Sequence, residues 1–98
     1  MILVHNGVVR GTAKDGKTVN AMQLSYNQEA LDSIVSALKK REGITAIRAW
    51  INKGVLNIGD DIMYVLVAGR FRTDVLPVFH ELLTTIKSEI VSEKEIDN

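Results

Sequence analysis

The feature that most constrains the fold is an uncharged run, Ile62-Met63-Tyr64-Val65-Leu66-Val67-Ala68, bracketed by Gly59 and Gly69. The run is rich in β-branched and aromatic residues, and the glycines cut it too short for a helix. It therefore reads as a strand, buried on both faces and hence central in a sheet. Before it, Asn57-Ile58-Gly59-Asp60-Asp61 reads as a tight turn, with glycine for the positive φ and aspartate to hydrogen-bond the backbone. After it come Arg70 and Arg72. Side chains in a strand repeat every second residue, so a strand continuing through them would put both guanidinium groups on one face. That pair could hold an anion at the rim of the core. From spacing alone the plainer reading is favoured, two arginines that flank a strand and keep it soluble, since paired surface arginines are common.

The rest of the chain supplies partners for this strand. Met1 to Arg10 reads as a strand with a bulge at Asn6-Gly7. Asp15-Gly16 is a hairpin signal, and Val19, Ala21 or Met22, Leu24 and Tyr26 form a second strand expected antiparallel to the first. Asn27 is placed to cap a helix whose stripe is Leu31, Ile34, Val35 and Leu38. Lys39, Lys40 and Arg41 suit the negative end of that helix, and Gly43 stops it. Ile44 to Ile51 reads as a third strand and Val55-Leu56 as a short fourth. Thr73 or Asp74 is the expected cap of the last helix. Pro77 then falls in its first turn, and Leu76, Phe79, Leu83, Ile86 and Ile90 form its apolar steps. The tail from Ser92 is polar and reads as frayed. The order is β-β-α-β-(β)-β-α, an α+β fold in which two helices cover one face of an antiparallel sheet, a two-layer sandwich.

Ninety-eight residues make a single domain, 1–98. Twelve basic and twelve acidic side chains balance, which argues against a nucleic-acid surface. With no cysteine, disulfides, thiolate metal sites and cysteine nucleophiles are excluded. Two histidines, His5 and His80, do not make a zinc site. The chain opens without the features of a signal peptide, and no apolar run approaches the ~20 residues of a membrane span, so the expected location is the cytoplasm. Apolar strands near sheet edges favour a dimer.

For chemistry, His80, Lys87 and Lys94 are seven apart and would line one edge of the last helix at steps of about 10 Å. That edge borders the apolar stripe, which would half-bury Lys87. Half-buried lysines serve as bases or imine-forming amines, although a solvated helix edge explains the same spacing. Spacing thus supports a candidate anion site of Arg70, Arg72 and Arg10 with Lys87 nearby. It does not specify a reaction.

The chain resembles the large, catalytic subunit family of molybdopterin synthase. The residues that carry the likeness are Gly54, Leu56, Gly59-Asp60, the strand Ile62 to Ala68, and Phe71-Arg72. It extends through the last helix and back through Asn20-Ala21 to Gly7-Val8-Val9-Arg10, starting at the family's first core strand and stopping just past Lys94. The resemblance implies a hammerhead-like sandwich and no cofactor. It further implies a homodimer that binds a ubiquitin-like small subunit carrying a C-terminal glycine thiocarboxylate. The implied reaction moves two sulfurs onto cyclic pyranopterin monophosphate. Lys87 matches the family's catalytic lysine and Lys94 a second functional lysine, while Arg10 and Arg72 match its arginines. Two departures stand out. Phe71 occupies the place of a histidine, and Ile90-Val91-Ser92-Glu93 replaces a Pro-aromatic-Trp segment. These keep open a second reading, a catalytically idle relative that binds an anionic ligand or a ubiquitin-like tail.

Overall fold

The computed structural model describes residues 1–11, 16 and 20–96. The elements in order are β1 (Ile2–Val8), β2 (Ala21–Tyr26), α1 (Gln28–Lys39), β3 (Ile44–Ile51), β4 (Gly54–Asn57), β5 (Asp61–Gly69), α2 (Arg72–Thr85), a π-helical turn (Ile86–Ile90) and β6 (Val91–Ile96). Two antiparallel sheets form, one in the order β1-β5-β3 and one in the order β4-β2-β6. The expected α+β fold is present, with β5 central in the first sheet. The expected pairing of β1 with β2 is not, because β1 pairs with β5 and β2 with β4 and β6. The Asp15-Gly16 hairpin signal falls largely outside the described residues. The bulge at Gly7 is present as a register shift between Gly7 and Val8.

The register sorts the first sheet into two faces. Leu3, Val67 and Ile47 lie abreast, as do His5, Val65 and Ala49, and Gly7, Met63 and Ile51. This inner face meets the helices, α2 packing on β5 and β1, and α1 on β3. Val65, Val67, Ile47, Ile51, Val75, Val78, Leu82 and Ile86 are buried here, and among the described residues no polar side chain is buried. The alternate residues form an outer face of Ile2, Ala68 and Ala46, then Val4, Leu66 and Arg48, then Asn6, Tyr64 and Trp50. Among the described residues no element packs over it, so there β5 is buried on one face and not on both.

Helix α1 follows its sequence signals. The Asn27 side chain accepts a 3.0 Å hydrogen bond from the Ala30 N–H, and Leu31 and Leu38 are buried. Helix α2 starts two to three residues earlier than its polar residues suggest. Phe71 sits at the cap position without a side-chain hydrogen bond, and Asp74 is drawn instead to Arg70. Pro77 thus stands in the second turn, where it removes one helical hydrogen bond. At the corner between β5 and α2 the chain passes very close to the end of α1. A Cβ on Gly69 would meet the Gly43 carbonyl and the Val75 side chain, and Gly43 itself has φ +80°. Through Ile96 the tail is not frayed, because Val91–Ile96 becomes β6 by pairing along β2. Among the described residues no helix is long and apolar enough to cross a membrane.

Candidate functional site

The strand that was to deliver two arginines ends at Gly69, one residue too soon. Arg70 lies in the bend and its N–H donates to the Gly43 carbonyl at 2.9 Å. Its guanidinium donates to Asp74 at 2.9 Å, pairs with Glu42 at 3.1 Å, and lies 5.3 Å from the centre of the Phe71 ring. The Asp74 hydrogen bond and then Glu42 push its pKa above the usual arginine range. Two carboxylates thus occupy the group expected to hold an external anion. Arg72 is the first residue of α2 and is exposed. The two arginines do not share a strand face, because the backbone turns into helix between them.

Arg10 follows the buried Val9, whose N–H donates to the Asp60 carbonyl and whose carbonyl accepts from the Gly59 N–H, both at 3.0 Å. It therefore belongs to the Asp61 end of β5, whereas Arg72 follows the Gly69 end. The nine residues of β5 separate those ends by roughly 27 Å. Helix α2 runs back along β5, so Lys87 lies roughly 20 Å along the helix axis from Arg72. Within one chain Arg72 and Lys87 stand at opposite ends of α2 and do not converge.

Lys87 sits in the π-helical turn, and its side chain is exposed, not half-buried. The wider turn keeps Ile86 and Ile90 buried while it swings the chain into β6. Such turns recur at functional sites because the extra residue re-aims a side chain. Lys94 is not on the helix at all. It lies on β6 opposite Gln23 of β2, exposed, so the expected line of His80, Lys87 and Lys94 is broken at Ile90. Lys87 and Lys94 flank the junction of helix and second sheet. Among the described residues Arg10, Arg72, Lys87 and Lys94 form no ion pair, whereas Arg41 bridges α1 to α2 through Glu81 at 2.8 Å.

The sequence reading passed over the polar string on the outer face. The Asn6 side-chain amide donates to an Asp61 carboxylate oxygen at 3.1 Å, and the Tyr64 hydroxyl donates to the other oxygen. The Tyr64 hydrogen bond, then that of Asn6, holds the Asp61 carboxyl below its usual pKa, and the same bond to Asp61 pushes the Tyr64 phenol up. In the sequence Asp61 is part of the turn before β5, and only the pairing of β1 with β5 brings Asn6 to it.

Comparison with known proteins then decides the family. Residues 1–89 match the family model described as MoaE protein. The chain belongs to the MoaE family. Membership puts it in molybdenum cofactor biosynthesis. The matched span contains Arg10, Arg72 and Lys87, and Lys94 lies beyond it. Among solved structures, molybdopterin synthase from Staphylococcus aureus is similar over 100% of this chain and 74% of its own, with TM-score 0.85 and 21% identity. The molybdopterin biosynthesis MoaE protein from Burkholderia ambifaria is similar over 98% of this chain and 70% of its own, with TM-score 0.76 and 22% identity. A complex of subunits 1 and 2 of molybdopterin-converting factor from Helicobacter pylori contains a chain similar over 97% of this one and 64% of its own, with TM-score 0.77 and 14% identity. At these identities the likeness is one of fold. No curated protein matches the chain.

Proposed function

We propose that this MoaE chain is the large subunit of a molybdopterin synthase. In this reading it accepts the thiocarboxylate tail of a ubiquitin-like small subunit and directs transfer of two sulfurs to cyclic pyranopterin monophosphate. The observation that carries the reading is Lys87. It matches the family's catalytic lysine, it lies within the matched span, and it is presented by an irregular turn at the junction of helix and second sheet. An exposed ammonium there can neutralise the thiocarboxylate and the phosphate as they approach. As the free amine it can attack the acyl carbon of the tail, forming an amide as the C–S bond breaks and the sulfur leaves as hydrosulfide for the precursor. Arg10 and Arg72 suit the phosphate, since a guanidinium binds it through two parallel N–H bonds. Lys94, the fourth residue of β6, would steer the tail. Arg70, already held by Asp74 and Glu42, would order the corner from which Arg72 projects.

The separation of Arg72 from Lys87 supports a homodimer, in which Arg72 of one copy can serve a site that holds Lys87 of the other. A small subunit on each copy then gives a heterotetramer. Phe71 favours the second reading, an idle relative that binds the tail without transferring sulfur. It is exposed and packs under Arg70, with no proton to offer where the family has histidine.

Reconstitution separates the two. Purified chain, thiocarboxylated small subunit and precursor should yield molybdopterin, and Lys87→Ala should abolish the yield while leaving small-subunit binding intact. Lys87→Arg should keep the charge and still fail, because arginine does not deprotonate. Unchanged turnover by Lys87→Ala would remove the lysine from the mechanism. Tail binding without turnover by the wild type would select the idle relative.

A further inference from the structure

Asn6-Gly7 is the one Asn-Gly pair in the sequence. Asparagine is among the thermolabile residues, and a glycine after it leaves the backbone free to take the turn that loss of its amide requires. In that reaction the Gly7 backbone nitrogen attacks Cγ of Asn6. The Cγ–Nδ2 bond breaks, the Gly7 amide proton goes to the leaving group, and ammonia departs from a five-membered imide. Water then adds to either carbonyl carbon of the imide and opens it, by one side to aspartate and by the other to isoaspartate.

The fold holds this pair in an unreactive geometry. Asn6 lies in β1 opposite Tyr64, and Gly7 opposite Met63. The Asn6 amide nitrogen donates to an Asp61 carboxylate oxygen and to the Met63 carbonyl, both at 3.1 Å. Ring closure requires the side chain to rotate out of both bonds and the backbone to leave its strand conformation. That happens when this end of β1 opens. β1 is an edge strand whose register shifts between Gly7 and Val8, and an edge with an interrupted ladder is where local opening costs least. Conversion then leaves no way back. Position 6 presents a carboxylate where a donor stood, facing the Asp61 carboxylate and the Met63 carbonyl, both acceptors. Like charges in one site repel, and the carbonyl loses its donor. The isoaspartate form also adds a methylene to the backbone of β1 and spoils its register.

We propose that Asn6-Gly7 is a self-modification site whose amide is preserved by the β1–β5 pairing and lost when β1 opens. The carboxylate left behind then holds β1 open. The site is a one-way record of strand opening at the edge of the first sheet, and it is independent of sulfur transfer.

Incubation of the full chain in mildly alkaline buffer tests it, once folded and once in urea, with peptide mass spectrometry to quantify converted Asn6. Conversion should proceed in urea and be about tenfold or more slower in the folded chain. Gly7→Ala should suppress conversion in urea, and it should fold, because the added Cβ comes no closer than 3.5 Å to Met63, His5 and Ile62. No conversion in urea, or equal rates in the two conditions, would overturn the preserved amide. The second half is read from amide hydrogen exchange. Asn6→Asp should speed exchange along β1 about tenfold or more while α1 is unchanged. Asn6→Asp combined with Asp61→Asn swaps donor and acceptor across the same contact and should recover most of that protection. Should Asn6→Asp alone fail to fold, a folded double variant carries the same support. Exchange in β1 unmoved by Asn6→Asp, or a double variant no better protected than the single one, would overturn the one-way opening.

Discussion

The two faces of the first sheet are built from the same three strands and from residues of the same kind, yet they have different fates. The inner face carries Val65, Val67, Met63, Ile47 and Ile51 and is buried under two helices. The outer face carries Ile2, Val4, Leu66, Tyr64 and Trp50, and no described element covers it. Hydropathy does not separate them. Covering does, and it follows from where α1 and α2 return across the sheet. An apolar run on a central strand reports that both faces favour burial. It does not report whether the same chain or another supplies the cover.

The largest effect expected from this contrast compares two isoleucines. Ile47 on the inner face is 3% exposed and Ile2 on the outer face 62%. Ile47→Ala should cost about 2–5 kcal/mol in urea unfolding, from lost burial and the cavity left behind. Ile2→Ala should stay within about 0.5 kcal/mol when the protein is dilute enough to be monomeric. Equal costs would erase the distinction between the faces.

A smaller effect tests the corner that lets α2 fold back onto the inner face. Gly69→Ala adds one methyl against the Gly43 carbonyl and the Val75 side chain, at a point where the chain cannot retreat without moving α1. Overpacking of this kind costs about 1–3 kcal/mol. Its outer-face neighbour Ala68→Val should be nearly silent under the same dilute conditions. Thermal melts of the two variants, one residue apart, make the comparison sharp.

The smallest effect belongs to the polar rim of the outer face. Asp61 is held below its ordinary pKa by the Tyr64 hydroxyl and Asn6, so its contribution to stability is present above the unfolded carboxyl value of about 3.8 and is lost as pH falls through the lower folded value. Tyr64 is shifted the other way, so its contribution is present below pH 10 and is lost as pH rises through its higher folded value. Tyr64→Phe should therefore flatten the acid limb of the stability profile below about pH 4 and the alkaline limb above about pH 10. Acid and alkaline limbs unchanged by Tyr64→Phe would show that the hydrogen bond does not persist in solution.

Much of the fold was legible because local chemistry and tertiary packing agreed. Asn27, the Leu31–Leu38 stripe and Gly43 bound α1, and Gly59 and Gly69 frame β5, as their residue types require. The elements that escaped are those where packing overrode propensity. Val91–Ile96, with four polar residues in six, is a strand only because β2 offers an open edge. The start of α2 lacks a polar cap because Asp74 bonds Arg70 instead of a helix N–H. The line of Lys87 with Lys94 failed because Ile90 ends the helix between them.

By itself, then, the sequence determined the kinds of element, their order and the likeness carried by Gly54, Leu56, Gly59-Asp60, Arg72 and Lys87, since these depend on backbone stereochemistry and on spacing along one chain. Which strands pair, which face of the sheet is covered, and how far apart Arg72 and Lys87 stand were decided only in three dimensions. Those properties depend on contacts between residues distant in the chain, and the sequence alone does not determine how the helices are laid across the sheet.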